Sequence, residues 1–400
     1  MPSIAGLRGT GNWATDERPK NFRELILWRN PNGKAPLTAL TARMHKEGVD
    51  DPEFNWWEEE HNLVRVTQNY STTLDSTVTS VTVDSGALDL VAGDVLLVEK
   101  TEASTYDNEI VLVSNVSSDT SFEIVRGACG TTASDTSLAD NTGFTKIGNV
   151  YEEGSTSPGT STRNPTKKTN YCQIFKTAYQ LTNTAKITRT RTGDPLKNDK
   201  KRKMFDHAAA LELAWMFGSS NETTGALGMP QRTTGGLSEF ITTNRTIFTT
   251  SPTEDTLLDA IYPVFDYSVE GGSGGGDERI AFCGNGFLNN LNKLARDSAS
   301  TRINFNGIVK VYGMSLQEWI IPQGTLYVKT HPLMNTHARF TNGAFIIDPA
   351  SIIYRPLRDT KAEDNIQAND ADLQKGQWLT EAGLEIRHEK TMAYIGNFVL

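Results

Sequence analysis

The sequence predicts an α+β fold with a small all-β module set into it. Three observations carry that prediction. Residues 67–148 hold 25 Ser and Thr and a series of short alternating strands. Residues 195–217 repeat apolar side chains at helical spacing, and the chain beyond Ile303 reads mostly as strands. At 400 residues there is room for several cores, since a domain takes roughly 100–200 residues.

Residues 1–53 are rich in Pro, Gly and Asn and keep no regular period beyond a short helical stretch at 38–46. An arm with so little core of its own is expected to lie against a neighbour. Residues 54–66 read as extended, with Trp56 and Trp57 adjacent and an acidic run of Glu58, Glu59 and Glu60. The β module follows, with strands at 78–83, 94–98, 109–113 and 122–125 between turn residues. Gly143 and the run 153–160 mark its exit as a loop. Residues 171–191 are again β-rich and would reach about 60 Å if extended throughout. Pro195 then opens the longest helix, with Met204, Ala208, Leu211 and Trp215 as its apolar stripe and Gly218 as its stop. Ser251, Pro252, Thr253 and Glu254 fit a capping box with Pro at the first helical position, and Leu257, Ile261 and Phe265 follow on one face. The glycine-rich run 271–276 reads as a tether, 279–283 as a strand, and 286–298 as a helix on Phe287, Leu291 and Leu294. Strands at 308–312, 326–330, 344–347, 384–387 and 393–399 complete the chain.

Charge is segregated. The net charge of −9 is the charge of one segment: residues 67–148 carry 12 Asp and Glu against Lys100, Arg126 and Lys146. Residues 163–203 carry 12 Lys and Arg against Asp194 and Asp199. Such a protein shows different faces to different partners. The basic start of the long helix (Lys197, Lys200, Lys201, Arg202, Lys203) opposes the helix dipole and suggests an external anion or carboxylate, a solvated end being the plainer alternative. Three scattered cysteines (Cys129, Cys172, Cys283) point to reduced thiols. No apolar run approaches the ~20 residues of a membrane span, and no signal-peptide pattern opens the chain.

Strings that resemble catalytic motifs fail on context. Gly271-Gly272-Ser273-Gly274-Gly275 lies inside the tether, with a helix before it and a strand after it, the reverse of a nucleophile elbow. Gly284-Asn285-Gly286 follows a strand, but Asn289 stands where a dinucleotide fold has its third glycine. His331 and His337 match no zinc spacing, and Asp364, Asp370 and Asp372 lack the glycine and terminal glutamate of a calcium loop. The sequence supports no enzyme activity, metal or cofactor.

A resemblance to a known family rests on separate strings in a fixed order. These are Asn170-Tyr171-Cys172-Gln173-Ile174-Phe175, Thr234-Gly235-Gly236-Leu237-Ser238-Glu239-Phe240-Ile241, the run 348–359 (DPASIIYRPLRD), Lys375-Gly376-Gln377, and Leu384-Glu385-Ile386-Arg387-His388-Glu389-Lys390. Together they resemble the major capsid proteins of tailed double-stranded-DNA phages. The similarity is densest over 165–400 and weaker over 1–66. Ile124-Val125-Arg126-Gly127 resembles the strand end of a β insertion common in that family.

The resemblance implies the tailed-phage major capsid fold plus a β insertion domain. Residues 1–53 would be the N-terminal arm, 54–66 and 149–191 the extended E-loop, and 67–148 the acidic insertion. Residues 192–249 and 346–400 would form the peripheral domain with its spine helix at 195–217, and 250–345 the axial domain. The function implied is self-assembly into hexamers and pentamers of an icosahedral head around double-stranded DNA. A tail, baseplate or surface-adhesion protein is the alternative, and an enzyme a distant third. Lys197, Lys200, Lys201, Arg202 and Lys203 would face the lumen and DNA, bound without sequence preference, or a neighbouring subunit. Arg163, Lys167 and Lys168 would make E-loop contacts between subunits, and Trp56, Trp57, Glu58, Glu59 and Glu60 arm or loop contacts. Expected partners are further copies of the chain, a separate scaffolding protein, a portal and a cementing protein, with no membrane. The place of action is the virion, after assembly in the host bacterial cytoplasm. No glutamate is assignable to an isopeptide crosslink at Lys167 or Lys168, so none is expected.

Overall fold

The computed structural model describes residues 45–60, 64–69, 76–99, 109–133, 140–267, 278–297, 305–311 and 314–400. Most of the expected arm and the tether at 271–276 lie outside them. The chain divides into two compact units, Trp57–Lys167 and a second built from Lys168–Leu400 with the segment up to Trp56. Strand β1 (Glu53–Glu58) runs across the boundary at Trp56 and Trp57.

The unit Trp57–Lys167 is a closed β structure. Its strands β2 (Arg65–Thr67), β3 (Ser80–Thr82), β4 (Asp94–Val98), β5 (Ile110–Ser118), β6 (Ser121–Val125) and β7 (Gly143–Asn149) form one antiparallel sheet in the order β2-β7-β4-β5-β6-β3. The outer strands meet just beyond their ends. Asn69 N donates to Thr82 O at 2.9 Å and Asp84 N to Thr67 O at 3.0 Å, around the bridge Gln68–Val83. A sheet closed on itself has no open edge to aggregate. Period-two alternation fills its interior: Val111 and Val113 from β5, Phe122 and Ile124 from β6, Leu96 and Val98 from β4. Phe144 packs edge-on against Phe122 at 6.1 Å.

The second unit begins its regular structure at β8 (Thr166–Tyr171), which pairs with β1, and β9 (Gln173–Thr182). The β-rich stretch to Arg191 is not one long strand. It ends at Thr182, whose hydroxyl accepts from Ala185 N and caps the short helix α1 (Asn183–Ile187). Helix α2 (Pro195–Phe217) has the predicted ends, with Pro195 in the first turn, the Asp194 carboxylate as N-cap and Gly218 as C-cap. Its buried face shares Leu211 and Trp215 with the predicted stripe and adds His207, Glu212 and Met216, while Met204 is exposed and Ala208 half-buried. A hairpin, β10 (Asn221–Thr224) with β11 (Pro230–Thr233), follows, then α3 (Leu237–Phe240) and β12 (Arg245–Ile247). Helix α4 (Glu254–Ile261) starts later than predicted. Its cap is Thr253, boxed with Thr256, so Pro252 stands before the cap.

The core is a seven-stranded mixed sheet. To β12 it adds β13 (Glu278–Cys283), β14 (Phe305–Val311), β15 (Met314–Ile321), β16 (Gly324–Thr330), β17 (Ala344–Ile347) and β20 (Ala393–Gly396), in the order β12-β20-β17-β13-β16-β15-β14. The central strands are apolar at almost every position because both faces are covered. Ile280, Phe282, Phe345, Ile347 and Tyr394 pack toward Leu211 and Trp215 of α2. Ala281, Cys283, Ile346 and Ile395 pack toward α4 and α5 (Asn285–Asp297). The expected peripheral and axial segments both contribute strands to this sheet, so the boundaries at 249/250 and 345/346 cut through one hydrogen-bonded layer. β20, expected to return to the peripheral domain, pairs with β12 and β17. A separate three-stranded sheet joins β9 to the long hairpin β18 (Ile352–Asp364) and β19 (Leu373–Ile386), in the order β18-β19-β9. The last residues of the expected arm lie parallel to β18 in their own chain: Glu47 N donates to Tyr354 O (3.1 Å) and Val49 N to Pro356 O (3.2 Å).

Candidate functional site

Three of the five strings that carried the resemblance converge on one buried side chain. Asn170, fully buried at the end of β8, donates its amide to Gly235 O (3.1 Å) and Leu384 O (2.7 Å) and accepts from Gly235 N (2.7 Å) and Tyr171 N (2.8 Å). All its hydrogen-bonding capacity is used between three distant segments. Gly236 is required beside it, because a Cβ there would meet Ala214 O and Trp215 O at 2.6 Å. The Glu385 carboxylate, also buried, accepts from Arg355 and Arg387. Glu389 accepts from Thr242 N, Thr243 N and the Thr243 hydroxyl. Burial works to raise the Glu389 carboxyl, but those donors more than offset it and hold the group below its ordinary range. These strings build the joint between β8, α3 and the β18–β19 hairpin, a structural role the sequence alone did not disclose.

The basic start of α2 is not a uniform cluster. Lys200 is drawn against the sheet: its ammonium lies 2.9 Å from the Asp364 carboxylate and 5.8 Å from the ring centres of Tyr179 and Trp378. Hydrogen bonding to Asp364 raises the Lys200 pKa, and Tyr179 and Lys200 together lower that of Asp364. Lys200 therefore fixes α2 to the β18–β19 hairpin. Lys197, 84 % exposed, sits 3.8 Å from Asp194; Arg202 lies 3.5 Å from Asp199 and Lys203 3.1 Å from Asp206, each one helical turn apart. With Asp194 also accepting from Leu196 N and Lys197 N, the misplaced charge is answered locally. Lys201 is exposed.

Arg163 is held within its own unit by a two-pronged ion pair with Asp89, and that pair, with Glu59 and Glu60 nearby, raises its pKa. Lys167 is exposed and Lys168 half-buried, within electrostatic reach of Glu389. Trp56 is buried, 6.2 Å from Phe54 and 5.7 Å from Phe240, and so belongs to a core. Trp57 and Glu59 are exposed, and Glu58 and Glu60 are partly so.

Where chemistry was tested for, packing is found. Gly284 lies between β13 and α5, and a Cβ there would meet the Thr341 backbone at 2.6 Å, so it allows close packing. His331 is a core residue. Its Nδ1 accepts from Leu333 N (3.2 Å) and its Nε2–H donates to buried Glu212 (3.0 Å). Burial pushes the Cys172 and Cys283 thiols up to about 12, which makes them poor nucleophiles. Among the described residues no group of three or more His, Cys, Asp or Glu is placed to hold a metal, and no helix is long and apolar enough to cross a membrane.

Comparison with known proteins gives matches that span the chain. The sequence pattern of the SU10 major capsid protein family matches residues 6–398. The major capsid protein of Pseudomonas phage PaMx41 is 26 % identical over 424 aligned positions, covering 99 % of this chain and 96 % of the relative. The capsid of a native GTA particle is similar in trace at 10 % identity and a TM-score of 0.47, over 96 % of both chains. A structure from Microbacterium phage Oxtober96 gives 11 % identity and a TM-score of 0.44 over 95 % of both. The sequence match across the whole chain carries the assignment.

Proposed function

We propose a function that proceeds from one premise: the chain belongs to the SU10 major capsid protein family, matched across residues 6–398. It is a phage major capsid protein with an α+β capsid fold, a structural component of the virion. Beyond that premise, the subunits assemble in the host cytoplasm as hexamers and pentamers of an icosahedral head. Assembly uses a scaffolding protein and a portal, and the finished shell encloses double-stranded DNA. The barrel Trp57–Lys167 is an insertion domain, and its acidity suits the outer face, away from the genome. The neutral balance of the rest of the chain suits weak, non-specific attraction to DNA, with Lys197 and Lys201 among its exposed basic residues. The observation that carries this reading is the match across the chain, together with the fit of its shared strings into one buried joint at Asn170.

The test is light scattering and negative-stain microscopy of the chain co-expressed with its phage's scaffolding protein. Closed shells, or hexamers and pentamers, are expected. A persistent monomer of 44.0 kDa under those conditions overturns the assembly reading.

A further inference from the structure

β18 is an outer strand of the β18–β19–β9 sheet, and residues 45–49 lie along its edge as a short parallel strap. Tyr354 N donates to His45 O (3.2 Å), Glu47 N to Tyr354 O (3.1 Å) and Val49 N to Pro356 O (3.2 Å). These bonds cover only the first part of β18, and the strand changes character where they stop. Beside the strap it reads Ile352, Ile353, Tyr354, Arg355 and Pro356, all buried but Arg355. Past Leu357 it reads Arg358, Asp359, Thr360, Lys361, Ala362, Glu363 and Asp364, with five charges and all exposed but Glu363. Charge along an edge keeps an open strand from pairing with another chain. The apolar part has one charge, Arg355, already committed to Glu385. It is the apolar part that the strap covers.

The strap is held lightly. Residues 45–48 are exposed, and Val49 is the strap residue that packs against the cluster of Phe54, Trp56 and Cys172. Two ion pairs fasten it: Lys46 with Asp359, and Glu47 with Arg355 at 2.8 Å. Pairs as exposed as these contribute little. Neither strands a charge when it opens, because Arg355 keeps buried Glu385 and Asp359 keeps the Tyr354 hydroxyl at 3.2 Å. Breaking a pair is costly when the charge left behind is buried and alone, and here it is not alone. A segment attached in this way opens locally, well below the free energy of global unfolding.

We propose that residues 45–49 are a releasable edge cap. Docked, they deny the apolar edge of β18 to any other extended polypeptide; released, they expose a strand that pairs with one. The ion pairs of Lys46 and Glu47 set how readily the cap opens. The device does not depend on assembly into shells, since every contact lies within one chain.

The test uses the full soluble chain. In Glu47→Gln combined with Val49→Asp, the amides of residues 47, 49 and 354 are expected to exchange with deuterium about tenfold faster, with the thermal midpoint kept. The uncapped chain is expected to associate about tenfold faster, read by light scattering and thioflavin T fluorescence, with the Tyr354 amide protected again inside the aggregates. Three released amides without faster association overturn the proposal. So do amides that stay protected in the variant, or aggregates that leave the Tyr354 amide exposed. If the double variant loses its thermal midpoint, Glu47→Gln alone decides, because it removes only a charge from an exposed side chain. Exchange at the three amides and the rate of association must then rise together, and a rise in one without the other overturns the cap.

Discussion

The motif at the end of β6 makes a quantitative prediction about the barrel. Arg126 and Glu109 form an ion pair with side chains only 5 % and 1 % exposed. Arg126 Nη2 lies 2.7 Å from Glu109 Oε2, and the same carboxylate accepts from Gly127 N at 3.2 Å. Gly127 stands at φ +61°, where a Cβ would meet Ala133 N and Thr131 O at 3.0 Å, so the strand can turn here only at glycine. Glu109→Ala leaves the Arg126 guanidinium buried without its carboxylate, a change that costs about 3–5 kcal/mol. For a unit of this size the urea dependence is about 1–1.5 kcal/mol per molar. The midpoint should therefore fall by about 2–5 M, close to complete loss of a domain whose total stability is about 5–15 kcal/mol. Glu109→Leu combined with Arg126→Met removes both charges and should cost far less, since well-packed apolar replacements of buried pairs are often neutral. The assay is urea unfolding of the intact chain, followed by hydrogen exchange at the amides of β5 and β6 so that the barrel is read apart from the other unit. If Glu109→Ala costs less than about 1 kcal/mol, or the double variant is as unstable as the single one, the orphaned-charge argument is refuted.

Other perturbations test the second unit. His207 bridges Thr177 (3.1 Å) and Thr380 (2.8 Å), and burial lowers its pKa. The unfolded state therefore binds the proton first, near pH 6.5, and stability is full above that pH and lost as pH falls below it. Against His207→Asn, the wild type should lose up to ~1.4 kcal/mol per unit between about pH 6.5 and 5; a constant difference between the two would refute the assignment. Gly236→Ala forces a methyl into the carbonyls of Ala214 and Trp215 and should cost at least about 1–3 kcal/mol in thermal or urea unfolding. Lys200→Ala should lower stability by up to about 1 kcal/mol, whereas Lys197→Ala and Lys201→Ala should leave it unchanged. If those two also leave the retention of DNA in filled heads insensitive to salt, the lumen assignment fails.

The elements that were legible in the sequence owed their clarity to local chemistry. Helix α2 was found with both ends because Pro195 and Gly218 are local signals; the Asp194 cap came from the structure. β17 was found because a run of four apolar residues, rich in β-branched and aromatic side chains and bounded by Gly343 and Pro349, is too short for a helix and suits a strand covered on both faces. What was missed depended on partners remote in sequence. Of β18 and β19 only the end at 384–387 was read as a strand, because charged and polar residues along much of their length leave no alternation to announce a pair of 13 and 14 residues. Their register is set by each other and by β9. β15 and the hairpin β10–β11 pair with their neighbours in sequence and still went unread: β10 and β11 are polar throughout, and the hairpin's Gly-Ala-Leu-Gly-Met tip offered only its glycines.

The candidate site shows the same division more sharply. Five basic residues within seven positions look alike in sequence, yet one of them, Lys200, is committed to Asp364 164 residues away, and three answer acids one turn along their own helix. A charge count cannot separate a tether from a solvated face, because the difference lies in where a distant carboxylate arrives. The shared strings behave in the opposite way. Asn170, Gly235 and Leu384 have no pattern individually, but each supplies a backbone or amide group that one of the others must satisfy in a site closed to water. An unsatisfied amide there would cost about 1–3 kcal/mol, so the joint depends on the Asn170 side chain, which alone can both donate to and accept from the other two backbones. The surface of a shell subunit is under no such constraint, and its contacts have to be read from the structure.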